Sequence, residues 1–482
     1  MSAVPAGSPV RTGAVVPVLA SAGITVALMQ TLVIPVIPEL PRLLNASAGA
    51  TAWAITATLL AAAVATPIMG RLGDMYGKRR MLLISIGLLV AGSIVAALSS
   101  SLVPLIVGRA LQGFAAGVIP LGISIMRDEL PSDRLGTATA QMSASLGVGG
   151  ALGLPAAALL AENISWHALF WVSAGLGVII LGLVLRFVPE SSVRSGGRFD
   201  VLGGVGLSFG LISLLLAISQ GADWGWTSAP TLGLFAVAVV TILAWGWWER
   251  RTSEPLVDLR TTARPQVLLT NLASMVFGFA MFAMSLVVPQ LLQMPKATGF
   301  GLGQSMLASG LVMGPSGLVM LLTAPLSAKI SAARGPKATL MLGAIVVAAG
   351  YGVGSILMGS VWEIVLVSLL IGAGIGLAYG AMPALIMSAV PVSETAAANS
   401  FNTLMRSIGT SVSSAVAGVI LANLTINLGT HTLPSQTGFR TVLIIGAAAA
   451  LVALAIAACI PTRSPTPTPP ATPASAEAPA TA

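Results

Sequence analysis

Three groups of residues combine types and spacings that chemistry could use. Gly70-Arg-Leu-Gly-Asp74-Met-Tyr-Gly77-Lys78-Arg79-Arg80 sets one acid among four basic residues between two long apolar runs, in a chain where 8% of residues are charged. Gly108-Arg109-Ala-Leu-Gln112-Gly113 puts a guanidinium and an amide one turn apart inside a third apolar run. Asn399, Asn402, Arg406, Thr410 and Ser413 recur at helical spacing and make one polar stripe. Such groups can pair charge, carry a proton or hold an anion. A charge in hydrocarbon costs at least about 2.5–3.5 kcal/mol on insertion scales, so it faces a bundle interior or a wet cavity. Arg109 lies roughly 10 Å down its run at about 1.5 Å per residue, and Arg406 lies about ten residues into its own. All 15 Asp and Glu fall in loops or at run ends, so both deep charges are arginines. Arg109 could tie helices together through carbonyls and amides. The stripe faces either a water-filled pathway or polar partners on neighbouring helices.

These groups need elements that hold them in a bilayer. Hydrophobic residues make up 56% of the 482, and mean hydropathy is +0.95, too apolar for a soluble protein. Apolar stretches of spanning length predict fourteen helices, at about 14–37, 51–69, 81–99, 102–126, 136–160, 166–188, 201–219, 230–248, 266–293, 304–325, 338–357, 361–388, 396–424 and 438–460. With both termini cytoplasmic, the inside segments hold 18 of the 23 basic residues, and the outside keeps Arg42, Lys296 and Arg440. Twelve spans would require discarding 201–219 and 230–248, both fully apolar and long enough. The net charge of +8 is scattered through loops, which argues against nucleic acid. Cys459 is the one cysteine, and His167 and His431 are far apart, so no metal site is expected. No P-loop and no Ser/His/Asp arrangement suggests an enzyme. No cleavable signal peptide is expected, and the Pro/Thr/Ala tail cannot bury an apolar face.

The Gly-x-Leu-x-Asp-x-x-Gly-Lys-Arg-Arg pattern resembles the loop signature of the major facilitator superfamily of transporters. Gly335-Pro336-Lys337 repeats its end more weakly, with Ala332 in the place of Asp74. Gly108 to Gly117 resembles the superfamily's fourth-span motif, whose arginine is linked to proton transfer. Asn402-Thr-Leu-Met-Arg406-Ser-Ile-Gly409 is similar to a run in the fourteen-span drug–proton antiporters. Gly147-Val-Gly149-Gly150-Ala-Leu-Gly153-Leu-Pro155 is similar to their fifth-span motif, with Gly153-Leu-Pro155 in place of the usual Gly-Pro pair. Trp166-His167-Ala-Leu-Phe170-Trp171 resembles another run of that branch, with His167 in an arginine's place; an interfacial aromatic belt explains it as well. The branch usually carries a membrane-buried aspartate in span 1, where this chain has Met29 followed by Gln30. Any proton coupling would then use Asp74, Asp128, or a rim acid such as Glu39 or Glu363. Gln30 and Arg109 lie at similar depth and could meet.

The resemblance implies an all-α polytopic fold of two six-helix halves plus two inserted helices. The expected divisions are a cytoplasmic N-terminus (1–13), a first half (14–188), the inserted pair with its loops (189–265), a second half (266–460) and a disordered tail (461–482). It implies a switch formed by Gly70, Asp74, Gly77, Lys78, Arg79 and Arg80, with Asp128 pairing Lys78 or Arg79. Gln30, Arg109, Gln112, Asn399, Asn402 and Arg406 would line a coupling or substrate cavity. The expected activity is proton-driven export of drugs, antibiotics or related amphipathic molecules from the cell membrane by a monomer that needs no cofactor. Import or exchange of a defined metabolite, with Arg406 and Arg109 holding an anion, is the alternative, and a non-transporting receptor or scaffold a third.

Overall fold

The computed structural model describes residues 12–33, 36, 39–428 and 431–461. The N-terminal segment to Arg11, the end of the first expected span at Ile34, Pro35 and Ile37, and the tail from Thr462 lie outside these residues. Among the described residues, 14 helices are long and apolar enough to cross a membrane. They are α1 (Thr12–Leu32), α2 (Ala48–Tyr76), α3 (Lys78–Ala97), α4 (Leu102–Glu129, with a 3-10 turn at Phe114–Gly117), α5 (Ser132–Asn163), α6 (Trp166–Phe187) and α7 (Val201–Trp224). The rest are α8 (Ala229–Glu249), α9 (Pro265–Gln293), α10 (Met306–Arg334), α11 (Pro336–Ile356), α12 (Val361–Met387), α13 (Thr395–Asn423) and α14 (Gln436–Ala458). Both spans that a twelve-helix count would discard, α7 and α8, are continuous helices.

Apolar length starts these helices, and polar caps end them, because an unpaired amide near hydrocarbon costs several kcal/mol. Ser228, Ser305 and Ser435 accept from the first-turn amides of α8, α10 and α14, and Asp200 does so for α7. Ser360 and Glu363 cap α12 reciprocally. Helix α2 runs seven residues past its expected apolar end, and α10 continues to Arg334. Hydropathy stops at the membrane edge, but hydrogen bonding propagates until a residue breaks it. Gly77 (φ 120°) and Gly335 (φ 84°) are those residues. The basic stretch from Gly70 to Arg80 is therefore helix, one glycine, then helix again, and not a loop. One further departure from an all-helical chain is a hairpin between α13 and α14, pairing Thr425–Leu428 antiparallel with His431–Pro434.

Buried side chains cluster by position in the chain. One core joins Leu19 of α1, Leu82 and Leu89 of α3, Leu121 and Ile125 of α4 and Val184 of α6. A second joins Phe277 and Val287 of α9, Leu340 and Tyr351 of α11, Ile371 of α12 and Phe439 of α14. Helix α5 gives Ala138 and Met142 to the first core and Ala140 and Ala144 to the second. Lipid is as apolar as leucine, so close approach through small residues does the holding here. A Cβ at Gly149 would lie 2.5 Å from the Ile24 carbonyl of α1, and one at Gly317 of α10 would lie 2.5 Å from the Ala151 Cβ. The pair α7–α8 packs on its own cluster: Leu207, Leu211, Leu215 and Trp245 meet Ala63 of α2 and Leu404 of α13. Its outer surface, with Val239, Val240, Leu243 and Trp247, is exposed.

Candidate functional site

The face of the bundle that carries Gly77 holds the densest polar constellation. Asp74 sits in the last turns of α2 with its side chain wholly buried. Its carboxylate crosses to the other six-helix core and accepts the amides of Ala396 (3.2 Å) and Ala397 (2.8 Å) in the first turn of α13. Those amides have no partner within their own helix, and a helix N-terminus carries about half a positive charge, so the carboxylate satisfies both needs. Gly70, one turn back, permits the approach: a Cβ there would lie 2.6 Å from the Ser400 Cβ and 2.8 Å from the Ala396 carbonyl.

Lys78 opens α3, and its ammonium is also wholly buried. It lies 2.5 Å from Asp128 Oδ2 and 3.8 Å from Asp74 Oδ1. Ser191 donates to the same Asp128 oxygen at 2.5 Å. Of the two expected partners for Asp128, the structure has Lys78. Arg79 goes elsewhere: its guanidinium donates to the Leu185 carbonyl of α6 at 2.7 Å. Glu190 accepts the backbone amides of Arg79 and Arg80, each at 3.2 Å, and its carboxylate fills the space a Cβ on Gly77 would need.

Arg127, the residue before Asp128, is the basic counterpart of Asp74. It donates to Thr395 Oγ1 (2.6 Å) and to the carbonyls of Met387 (2.8 Å) and Val390 (3.2 Å), where α12 ends. One acid on a helix N-terminus and one cation on a helix C-terminus thus join the two cores, each with the sign that the helix dipole favours. Sequence reasoning missed Arg127 and Glu190. Arg127 carried a usable signal, a cation in the last turn of a span beside an acid, whereas Glu190 looks like any loop acid.

Arg109 is 2% exposed and satisfied by its neighbours. Nε donates to the Ala54 carbonyl at 3.1 Å, and Nη1 to Gln112 Oε1 at 2.7 Å and the Met29 carbonyl at 3.4 Å. Gln112 passes the chain on to Ser93 Oγ at 2.8 Å. Arg109 therefore binds α1, α2 and its own helix. It reaches the backbone of Met29 and not the half-buried Gln30 amide, so the expected Gln30–Arg109 meeting does not occur.

The polar stripe of α13 divides in two. Asn399 bonds its own helix, and Asn402 donates to Asn271 Oδ1 of α9 at 2.9 Å, so this lower part joins helices. Arg406 is half-buried with its guanidinium 5.0 Å from the ring centroid of Tyr379 on α12. Gly278 of α9 makes room for it, since a Cβ there would lie 3.0 Å from Arg406 Cγ. Tyr379 gave no sequence signal because nothing in the order of residues ties α12 to α13. Along α5, Gly149 and Gly153 face α1, Pro155 meets Gly310 of α10, and Gly150 faces open space. His167 Nε2 donates to the Ser99 carbonyl (3.0 Å), and its ring lies against Trp166. Among the described residues no cluster of three His, Cys, Asp or Glu could hold a metal ion.

Comparison with known proteins agrees with this architecture. The family model described as Major Facilitator Superfamily matches residues 19–414 and 301–482. Multidrug resistance protein 3 of Bacillus subtilis is 24% identical over 385 residues, covering 78% of this chain and 73% of that protein. Multidrug resistance protein Stp of Mycobacterium tuberculosis is 26% identical over 408 residues, covering 83% and 74%. The tetracenomycin C resistance and export protein of Streptomyces glaucescens is 28% identical over 403 residues, covering 83% and 74%. Among solved structures, the human organic anion transporter MFSD10 (TETRAN) superposes with a TM-score of 0.65 over 93% of this chain and 99% of that one. At 15% identity that likeness shows the fold alone.

Proposed function

We propose that this chain, which belongs to the Major Facilitator Superfamily, is a secondary active exporter of amphipathic small molecules, working by alternating access in the cell membrane. The observation that carries the proposal is the clasp between Asp74 and the N-terminus of α13. Beside the apolar contacts of Met387 and Ala396, it joins the two helical cores at one face of the bundle by polar groups that can separate: two hydrogen bonds from backbone amides and the carbonyl contacts of Arg127. The distribution of Lys and Arg supports both termini being cytoplasmic, which makes the clasped face the cytoplasmic one. Export of small molecules is further supported by the relatives named for multidrug resistance and for tetracenomycin C export.

The proton gradient is the proposed driving force. Protonating Asp74 removes the charge that the α13 N-terminus holds and one of its acceptors, which loosens the clasp. With Met29 at the usual span-1 acid position, Asp74 is the acid best placed to link a proton to the gate. The protein would act as a monomer without a cofactor. Expression in a host lacking its own efflux pumps should lower accumulation of panel drugs, and a protonophore should abolish the effect. Accumulation that rises on expression would instead mark an importer or exchanger. Accumulation that ignores the gradient would remove proton coupling.

A further inference from the structure

The charge and hydrogen-bond inventory of the interior identifies what the cargo brings. No Asp or Glu lies in the middle of any span; Asp74, Asp128, Asp200, Glu249 and Glu363 all sit at helix ends. Two cations lie deeper. Arg109 is consumed by carbonyls and Gln112, as described above. Arg406 has no acid and no hydrogen-bond acceptor among the described residues, only the Tyr379 ring. A membrane-embedded cation left in this state requires water or an anion.

The neighbouring unmet groups have the same sense. The Tyr379 hydroxyl is buried without a partner, and so is the Ser413 hydroxyl two turns along α13 from Arg406. Asn271 Nδ2 on α9 is also unpartnered, because its Oδ1 is the atom that Asn402 engages. A guanidinium and an amide nitrogen can only donate, and each hydroxyl has a free proton to give. Helices α9, α12 and α13 therefore present a surplus of donors with nothing to accept from them. A cationic drug would add like charge beside Arg406, whereas an anionic group would meet the guanidinium and the Tyr379 hydroxyl together.

The geometry points to a substrate subsite at Arg406 and Tyr379 that takes the carboxylate, sulfonate or phenolate of an amphipathic anion, an assignment that rests on the transporter reading above. Arg406 supplies the charge and a planar fork for two acceptor oxygens. The Tyr379 hydroxyl adds a third bond, and its ring fixes the guanidinium. Gly278 seats the arginine stem close to α9, which limits the positions the fork can take.

The test is equilibrium binding to the purified full chain in nanodiscs, followed by fluorescence anisotropy. The probes are fluorescein, an anion at pH 7.4, and rhodamine 6G, a cation on the same xanthene core. Fluorescein should bind the more tightly. Arg406→Gln should weaken it about 10- to 100-fold, as expected for a lost charge-assisted contact, while Arg406→Lys, which keeps the charge but loses the fork, should fall between that variant and the unsubstituted chain. Tyr379→Phe retains the ring and should cost a few fold. Rhodamine 6G should respond to none of these changes. Tighter binding of rhodamine 6G, or fluorescein binding indifferent to Arg406→Gln in a monodisperse protein, overturns the proposal. Arg406-dependent fluorescein binding without gradient-driven efflux would leave the subsite standing and remove the exporter. Gradient-driven efflux by a protein whose fluorescein binding is indifferent to Arg406→Gln would do the reverse.

Discussion

Asp74→Asn separates the clasp from every other role of its helix. Asparagine keeps the shape and one acceptor oxygen, but it turns an N–H toward the second α13 amide and carries no charge. One of the two bonds at 2.8 and 3.2 Å is lost, together with the charge on the helix N-terminus. A hydrogen bond to a charged group contributes about 1.5–3 kcal/mol, and a charge at a partly buried helix terminus up to about 2 kcal/mol. The clasped state should therefore lose about 2–4 kcal/mol, or roughly 30- to 900-fold in its ratio to the unclasped state. Lys78 keeps its 2.5 Å contact with Asp128, so α3 stays in place. The measurement is a spin-label distance distribution between Tyr76 and Val392, 45% and 43% exposed on opposite sides of the seam, in a Cys459→Ser background. Asp74→Asn should add or enlarge a long-distance population, with membrane insertion unchanged and transport crippled. A distribution identical to that of the unsubstituted chain, in a variant that also transports normally, would remove Asp74 from the mechanism.

Asp128→Asn leaves the Lys78 ammonium with the Asp74 carboxylate at 3.8 Å as its one charge partner among the described residues, so the loss should stay below the about 3–5 kcal/mol of a fully broken buried pair; thermal unfolding in detergent should show it, and Lys78→Met with Asp128→Asn should recover part of it in a double-mutant cycle. Gly70→Leu should block closure of the seam and cost about 1–3 kcal/mol through overpacking, read as lost transport and a lengthened Tyr76–Val392 distance. Arg109→Lys keeps the charge but loses the fork that spans α1, α2 and Gln112; a clear drop in melting temperature with an unchanged proton-to-substrate ratio is expected, and a changed ratio at unaltered stability would assign Arg109 to coupling. Gly92→Val should prevent folding, because a Cβ there would already lie 2.5 Å from the Gly108 carbonyl; a normal yield of monodisperse protein would contradict the close α3–α4 packing.

The helix count was legible because spanning a bilayer is a local property, set by about twenty apolar residues in a row. The ends were not, since α2 and α10 stop where a glycine breaks the backbone and not where hydropathy falls. Asp74, Lys78 and Asp128 could be singled out because charge is rare in this chain. The Lys78–Asp128 contact was foreseeable from two short motifs on adjacent helices. The Asp74 acceptors were not, because backbone amides more than 300 residues away leave no mark of residue type. The same applies to Arg109, whose partners at Met29 and Ala54 are carbonyls that any residue would supply. The α13 stripe looked uniform because helical spacing records which face is polar and not what opposes it. Asn271 opposite Asn402 and Tyr379 opposite Arg406 give its two halves different roles.

The inserted pair bears on how cargo can arrive. Helix α7 lies along the junction of α2 and α13, sharing a buried cluster with Ala63 and Leu404 and setting Ser219 3.3 Å from Thr56. The opposite junction, between α5 and α10, is sealed by glycine and proline contacts. A two-half bundle without α7 and α8 would have a flank through which a lipid-dissolved compound could slip sideways. In this protein α7 covers that flank, so a compound dissolved in the bilayer would meet the inserted pair before it met the seam between α2 and α13.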